Sequence, residues 1–386
     1  MFIKRNRVHF KLSQCFVSCE RWRAAYRSGR RRPREADGVG VPTSRRQFEM
    51  HRGLRLVLIF VLFSIVAKTQ DLHFSQFYEA PLVRNPALAG LFDGDVRAQL
   101  VYRNQWGSVT TPYQTGSLNG EYKFAIGRGD DFITTALQVL WDKAGSVALN
   151  TTHLLPAVNY HKSMNADKNR YVSIGFIGGL VSRSLDRSKV TTNNQYDGFG
   201  YNGSLPDGET FASNYSYFDA GVGMSYNSSL GDRKENNFFV GFAYHHFNKP
   251  ANSFYQKLQH LPKWVVSGGL RTTMGDLSYI TFNADVSVQG PFKEVIGGAM
   301  YSRKIGDQEA PDYILHMGGY LRWEDAIIPV VKLDYHPFSM AFSYDMNISQ
   351  LRTSSQGRGG FEIALSYVGF LNSNGSTRDI LRCPRF

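Results

Sequence analysis

The sequence SYITFNADVSV, residues 278–288, alternates apolar and polar side chains without interruption. Successive side chains of a β-strand point to opposite faces, so this segment is predicted to be a strand with two different faces. One face carries Ile280, Phe282, Ala284, Val286 and Val288, and the other carries Tyr279, Thr281, Asn283, Asp285 and Ser287.

The same alternation recurs along the chain, for example over residues 217–226 and 340–348, while no stretch after Gln70 is apolar for long enough to span a bilayer as a helix. Short alternating segments separated by turns are typical of outer-membrane barrels. The sequence therefore predicts an all-β fold, a transmembrane antiparallel up-and-down β-barrel of about 14 strands over residues 96–370. The candidate strands are 96–103, 115–124, 132–141, 148–160, 171–181, 216–226, 237–247, 263–273, 278–288, 294–303, 313–323, 328–335, 339–348 and 360–370.

A secreted β-sandwich is the alternative, because its strands also alternate. Aromatic residues, at 14% of the sequence, favour the membrane, and four tryptophans fall near predicted strand ends, as interfacial girdles require. Connectors also differ in length, with a long polar one over 186–214 and a short turn over 274–276. In barrels of this kind long connectors are extracellular and short turns periplasmic. The four tryptophans are Trp106, Trp141, Trp264 and Trp323.

The N-terminal region differs from the rest. Residues 1–69 contain 16 Lys and Arg against 4 Asp and Glu, so they carry the whole net charge of +12 and the remainder is balanced. Residues 50–69 are predicted to be a signal peptide, because the run over 56–67 has only 12 residues where a membrane helix needs about 20. Residues 1–49 are predicted to be an untranslated or spurious extension; a nucleic-acid arm or targeting extension is the alternative.

Several linked motifs follow the predicted signal peptide. Residues 70–81 read QDLHFSQFYEAP, residues 85–90 read NPALAG and residues 102–106 read YRNQW. Toward the other end come SYD at 343–345 and GGFE at 359–362, and the chain closes on CPRF at 383–386. Together these motifs resemble the PorP/SprF family of type IX secretion-associated outer-membrane proteins of Bacteroidetes, over essentially all of residues 70–386.

This resemblance implies a bacterial outer-membrane protein, exported by a cleaved signal peptide, that helps particular type IX substrates to reach or stay on the cell surface. It implies as partners outer-membrane lipid, the translocon, periplasmic ring or motor proteins and a large secreted adhesin, with gliding motility supported in some members. No nucleic-acid partner is expected. A porin or a hydrophobic-substrate channel is the alternative function, and a soluble surface lectin is a third.

Residues 70–95 are predicted to be a non-strand lead-in, because proline lacks the donor that a central strand needs. We expect this segment to plug the lumen or to anchor the periplasmic rim; an ordered lead-in without a partner is the alternative. Its candidate partner or lumen contacts are His73, Phe74, Gln76, Phe77, Tyr78, Pro81, Asn85 and Pro86.

Charged residues inside predicted strands are expected to point inward, since Arg or Lys facing lipid at mid-membrane costs about 2 to 4 kcal/mol. They include Arg103, Asp345 and Glu362 among the candidate contacts, and Arg322, Lys332, Asp285 and Asp334 besides. They form either a contact surface for a client chain or paired charges that fill a wet lumen. Phe386 ends the chain and is either an assembly signal or part of a periplasmic docking tail over 371–386, which also holds the single thiol Cys383.

Enzyme signals are poor, and no catalytic, cofactor-binding or metal-binding residue is assigned. His245 and His246 adjoin within a predicted strand, so their side chains are expected to point to opposite faces and not to share a metal. No nucleophile elbow, zinc-ligand spacing or phosphate loop is present in the sequence. The chain is therefore predicted not to be an enzyme, and a barrel hydrolase with dispersed residues is the alternative.

Overall fold

The computed structural model describes residues 71–107, 111–127, 130–165, 169–231, 233, 235–255, 258–307, 311–349, 355 and 357–371. The predicted extension, the predicted signal peptide and most of the predicted tail, with Cys383 and Phe386, lie outside these ranges. Within them, no helix combines the length and the apolar character that crossing a membrane demands.

Fourteen strands in this described part form one closed antiparallel barrel, in which each strand pairs with its neighbours in sequence and β1 pairs with β14. The predicted fold class is confirmed. The strands are β1 (Val96–Gln105), β2 (Tyr113–Ala125), β3 (Phe132–Ala144), β4 (Leu149–Asn165), β5 (Arg170–Ser184), β6 (Asn214–Ser229), β7 (Asn237–His245), β8 (Lys263–Gly275), β9 (Ser278–Gln289), β10 (Phe292–Gly306), β11 (Pro311–Arg322), β12 (Ala326–Tyr335), β13 (Phe338–Asn347) and β14 (Arg358–Gly369).

The alternation in β9 has the predicted sense, with the polar face inside. Thr281, Asn283 and Asp285 are buried, whereas Phe282 and Val286 are more than 40% exposed on the outside. Strands β6 and β13 repeat this pattern. A barrel with a polar interior and an apolar exterior is stable where its outer face meets hydrocarbon, which is the environment of the outer membrane.

The two ends of the barrel differ. The end that carries the connectors 185–213 and 246–262 is called here the long-connector end, and the opposite end, with the turns 276–277 and 336–337, the short-turn end. The two long connectors contact each other, because Ala212 N donates to Phe254 O at 3.1 Å. The Phe254 ring also packs edge-on against Tyr215 near the start of β6. That the long-connector end is extracellular stays a prediction.

Residues 71–95, called here the plug, contain short helical turns and no strand. Helix α1 (Pro81–Arg84) follows a 3-10 turn at Phe77–Glu79, and a second 3-10 turn spans Pro86–Leu88. Both prolines begin a turn, where their missing N–H is not needed. The Asn85 side chain accepts a hydrogen bond from Ala87 N at 2.8 Å, which caps the second turn.

The plug lies inside the barrel and crosses it from end to end. Asp71 contacts the connector between β7 and β8 at the long-connector end, and Asp95 donates its N–H to Gly369 O, at the last residue of β14, at the short-turn end. Apolar plug residues fill the lumen between these points. Phe74 packs with Val101 and Leu140, Phe77 with Ile296 and Met300, and Leu82 with Leu155 and Ile177.

Candidate functional site

Near its start, at Ser75 and Gln76, the plug is bound to one carboxylate of the barrel wall. Ser75 N and Gln76 N donate to the two oxygens of Glu362 at 2.6 and 2.8 Å, and Gln76 Nε2 donates to Glu362 O at 3.0 Å. Gln76 Nε2 also donates to Ser343 Oγ at 3.0 Å. Two consecutive backbone amides therefore hold the chain against β14 at a fixed register, and the Gln76 side chain also reaches β13.

Two arginines complete this central cluster. Arg103 bridges Asp345 at 2.8 Å and Glu362 at 3.1 Å, and its Nη1 donates to His73 O at 2.6 Å. Arg322 lies 3.2 Å from Asp345 and donates to Ser75 Oγ at 2.5 Å. The predicted contacts Arg103, Asp345 and Glu362 thus meet in one network, which three plug residues, His73, Ser75 and Gln76, contact.

Burial makes this network costly to disrupt. The side chains of Arg103, Asp345 and Glu362 are at most 3% exposed. A buried charge that loses its partner costs about 3 to 5 kcal/mol, whereas the intact pair can be nearly neutral in stability. The cluster therefore specifies where the plug sits more than it adds stability.

A second contact lies where the plug approaches strands β4 to β7. The Asn85 side chain donates to Met224 O at 3.0 Å and to Phe242 O at 3.3 Å, and Asn159 Nδ2 donates to Ala87 O at 2.9 Å. The wall has glycine here for a steric reason. A Cβ on Gly175 would lie 2.5 Å from the carbonyl carbon of Pro86, and one on Gly223 would lie 1.9 Å from Asn85 Oδ1.

Charged pairs hold the middle of the plug to other strands. Arg84 makes a bidentate pair with Asp285 on β9, at 2.7 and 2.5 Å. Glu79 accepts from Lys332 Nζ on β12 at 2.6 Å and from Gln99 Nε2 on β1 at 3.1 Å. Bidentate arginine–carboxylate pairs fix both position and orientation.

The plug leaves the lumen along β2. Gly90 N donates to Glu121 Oε2 at 2.7 Å, and Lys123 Nζ donates to Phe92 O at 2.5 Å. Arg97, the second residue of β1, pairs with Glu121 at 2.6 Å. The same carboxylate therefore links the last turn of the plug to the first strand of the wall.

At the long-connector end Asp71 lies between two histidines, and Asp71, His246, His260 and Asp219 are called here the outer clamp. His246 Nε2 is 2.6 Å and His260 Nε2 2.9 Å from the Asp71 carboxylate, and His246 Nδ1 is 2.8 Å from Asp219. Burial would lower the pKa of His246, but the two carboxylates raise it to about 9. Burial would raise the pKa of Asp71, but the two histidines and Lys263 hold it well below its usual value.

The prediction that His245 and His246 point to opposite faces is wrong. His245 is the last residue of β7 and reaches the plug, 3.2 Å from Arg84 O, while His246 has a φ of 57° and turns back toward Asp71. The left-handed backbone breaks the strand alternation. Their ring centroids are 6.2 Å apart, and only His246 belongs to the outer clamp.

Asp71, His246 and His260 also place three possible metal-ligating atoms within 4.8 Å of one another. The histidine nitrogens that face Asp71 carry protons and therefore cannot bind a metal cation. Asn252 Oδ1 accepts from Arg183 and from Tyr215, so its amide nitrogen donates to His260 Nδ1 at 2.9 Å, and Nε2 of His260 must carry the proton. Both ring nitrogens of His246 lie within 2.8 Å of carboxylate oxygens, so both donate and neither offers a lone pair to a cation. The outer clamp is thus a hydrogen-bonded ion cluster.

The remaining predicted contacts have these positions. Tyr78 stacks on Tyr320 with ring centroids 5.2 Å apart, and Pro81 and Pro86 begin α1 and the second 3-10 turn. His73 Nδ1 lies 3.7 Å from Glu294. Sequence reasoning did not assign contacts to Ser75, Glu79, Arg84, Glu121 or the outer clamp, because their partners are distant in sequence. Asp71, Ser75 and Glu79 lie within the motif at 70–81, but that motif does not say what each of them contacts.

Comparison with known proteins identifies a family. The family described as "Type IX secretion system membrane protein PorP/SprF" matches residues 66–367. The comparison with curated proteins finds no significant match.

Several solved barrels are similar in outline. The toluene transporter TbuX of Ralstonia pickettii is 10% identical, with 75% of this chain and 92% of that chain covered and a TM-score of 0.43. The translocator domain of the autotransporter NalP of Neisseria meningitidis is 10% identical, with 84% and 97% covered and a TM-score of 0.36. A FadL homologue of Pseudomonas aeruginosa is also 10% identical, with 73% and 91% covered and a TM-score of 0.43.

These likenesses do not identify a function. The family match covers far more than half of the chain and agrees with the closed barrel, its polar interior and its apolar exterior. The chain belongs to the PorP/SprF family of type IX secretion system membrane proteins.

Proposed function

We propose that this protein is a non-enzymatic outer-membrane accessory of type IX secretion that helps particular large adhesin-type clients to reach the cell surface or to stay on it. Its partners would be the translocon and the periplasmic ring or motor proteins. Where the client is an adhesin used in gliding, loss of the protein would impair that movement.

The single observation that carries this proposal is the filled lumen. Ser75 and Gln76 are completely buried and bonded to Glu362, and Phe74 and Leu82 are at most 3% exposed. A porin needs a continuous aqueous channel, whereas this interior is crossed by ordered chain. A filled barrel is better suited to present a binding surface than to pass solutes, which favours the accessory over the channel.

The long connectors offer the surface for a client. Phe199, Tyr201 and Tyr255 on these connectors are exposed by more than half of their surface. Exposed aromatic residues are enriched at protein interfaces because they bury much area with few rotatable bonds. We propose that the client meets the long-connector end, while the candidate contacts in the lumen hold the plug.

The test separates secretion from conduction. Chromosomal deletion of the gene is expected to remove selected adhesins from the cell surface while other type IX substrates are still exported, as measured by surface proteomics. The purified full-length barrel is expected to show no steady conductance in planar bilayers, and a variant lacking residues 72–90 is expected to conduct. Free conductance of the intact barrel together with normal surface display in the deletion strain would support the channel instead.

A further inference from the structure

A cavity of about 240 Å³ lies at the long-connector end, beside the plug. Part of its lining is apolar. Leu82 of α1 lines it together with Leu140, Leu155 and Ile177 of the wall, and all four are less than 9% exposed. A dry cavity of about 150 Å³ with such a lining is large enough to bind benzene.

Arg183 lies at the outer part of this cavity, which Asp71, Asp142 and Asp219 also line, but its own hydrogen-bond partners are neutral. Its Nε donates to Thr151 Oγ1 at 3.2 Å, and its Nη1 donates to Asn252 Oδ1 at 2.7 Å and to Tyr215 OH at 3.4 Å. In the described residues Nη2 has no hydrogen-bond partner, and no carboxylate lies within ion-pair distance of Arg183. The lumen arginines Arg84, Arg97, Arg103 and Arg322, by contrast, all pair with a carboxylate.

A second polar group is unused deeper in the cavity. Gln138 is 1% exposed, and its Nε2 has no hydrogen-bond partner among the described residues. An unpaired buried donor is unfavourable, so a site that retains one is suited to a ligand oxygen that accepts its hydrogen bond.

We propose that this cavity binds a carboxylate carried on a small apolar group. The carboxylate lies on Nη2 of Arg183, whose partners Thr151, Asn252 and Tyr215 fix the guanidinium in place. The apolar group inserts between Leu82, Leu140 and Leu155, and a carbonyl oxygen of a longer ligand accepts from Gln138. Two sources have this chemistry: the carboxyl end of a polypeptide that finishes in an apolar residue, and a free aromatic or medium-chain acid.

Titration calorimetry on the full-length barrel in zwitterionic detergent tests the proposal. The probes are 4-phenylbutyrate and the peptide Gly-Ser-Gly-Leu-Phe, each as the free acid and as the amide. The acids are expected to bind with a Kd of about 1 mM or below, and the amides about tenfold or more weakly, because they lose a charge-assisted hydrogen bond. Binding of the peptide acid would identify a chain end as the source, and binding of phenylbutyrate alone a free acid.

Variants check the position of the site. Arg183→Gln is expected to weaken binding of the acids about tenfold, and Leu155→Trp, which fills the cavity, to abolish it. Arg187→Gln, at an exposed arginine of the adjoining connector that pairs with Asp207, is the matched control and is expected to leave binding unchanged. Heat-modifiable migration in gels verifies that each barrel is folded. Equal affinity for acid and amide in the native protein, no binding of either acid, or an unchanged affinity in folded Arg183→Gln would each overturn the proposal.

Discussion

At the residue scale, Glu362 has the largest expected effect on stability. It accepts two backbone N–H groups of the plug and pairs with Arg103, all within the buried interior. Glu362→Gln leaves Arg103 with one carboxylate fewer and places an amide donor against the N–H of Ser75 or Gln76. We expect the free energy of unfolding to fall by about 3 to 5 kcal/mol, as measured by urea titration in detergent.

The exposed pair between Lys162 and Asp131, at 2.8 Å, provides the control. The Lys162 side chain is 56% exposed, so solvent screens this pair, and Lys162→Ala is expected to have little effect on the free energy of unfolding. If the two substitutions had similar effects, the plug would not be held by the central cluster.

The outer clamp predicts a pH dependence. Because the pKa of His246 is raised to about 9 in the folded protein, its contribution is fully present below the unfolded value near 6.5 and is lost as pH rises through 9. The free energy of unfolding is thus expected to decrease by about 3 kcal/mol between pH 6 and pH 10 from this group.

His246→Asn should flatten that part of the profile, which urea titrations at several pH values would measure. Asp71 affects stability at low pH instead, because its pKa is held well below its usual value. Its contribution to the free energy of unfolding is present at neutral pH and is lost only in acid. A native profile with the same slope as that of His246→Asn would show that His246 is not charged in the outer clamp.

At the scale of elements, the fit between plug and wall depends on glycine. A methyl group on Gly175 would overlap the backbone of Pro86, and backbone cannot move aside as a flexible side chain can. Gly175→Ala is therefore expected to displace the second 3-10 turn at a cost of about 1 to 3 kcal/mol while the barrel still closes. The measurement is protease cleavage within the plug of the folded, heat-modifiable barrel.

Gly120→Ala on β2 is the matched control, since nothing lies within 4 Å of a Cβ at that position. It should leave both stability and protease resistance as they are. Equal resistance of the two variants would mean that the plug does not press on this part of the wall.

The strands could be predicted from the sequence, whereas the contacts of the plug could not. The alternation in β9 is readable because each residue's environment depends only on which face it occupies, and lipid and lumen impose opposite chemistries. The plug has no such period. Ser75 and Glu362 are 287 residues apart, and His246 reaches Asp71 only through a left-handed backbone that its neighbours do not signal. Prolines could predict a non-strand segment, but not which residues it would contact.

At the scale of the whole molecule, the outward face should behave as a membrane-embedded band. Phe282 lies in the middle of β9, points outward and is 45% exposed, whereas Tyr335 lies at the end of β12 and is 64% exposed. Tyr335 is the more exposed of the two side chains, but the cost of placing an arginine at each position depends on its depth in the bilayer. Arginine at mid-membrane costs about 2 to 4 kcal/mol, and near the interface about 0 to 1 kcal/mol.

Phe282→Arg is accordingly expected to reduce the free energy of unfolding in phospholipid bilayers by about 2 to 4 kcal/mol, and Tyr335→Arg by no more than about 1 kcal/mol. Urea titrations of barrels refolded into lipid vesicles would measure both. The difference depends on the hydrocarbon, because both side chains face outward and neither contacts the plug. Equal losses at the two positions would contradict a lipid-facing band at the height of Phe282, and with it the membrane-spanning position of the barrel.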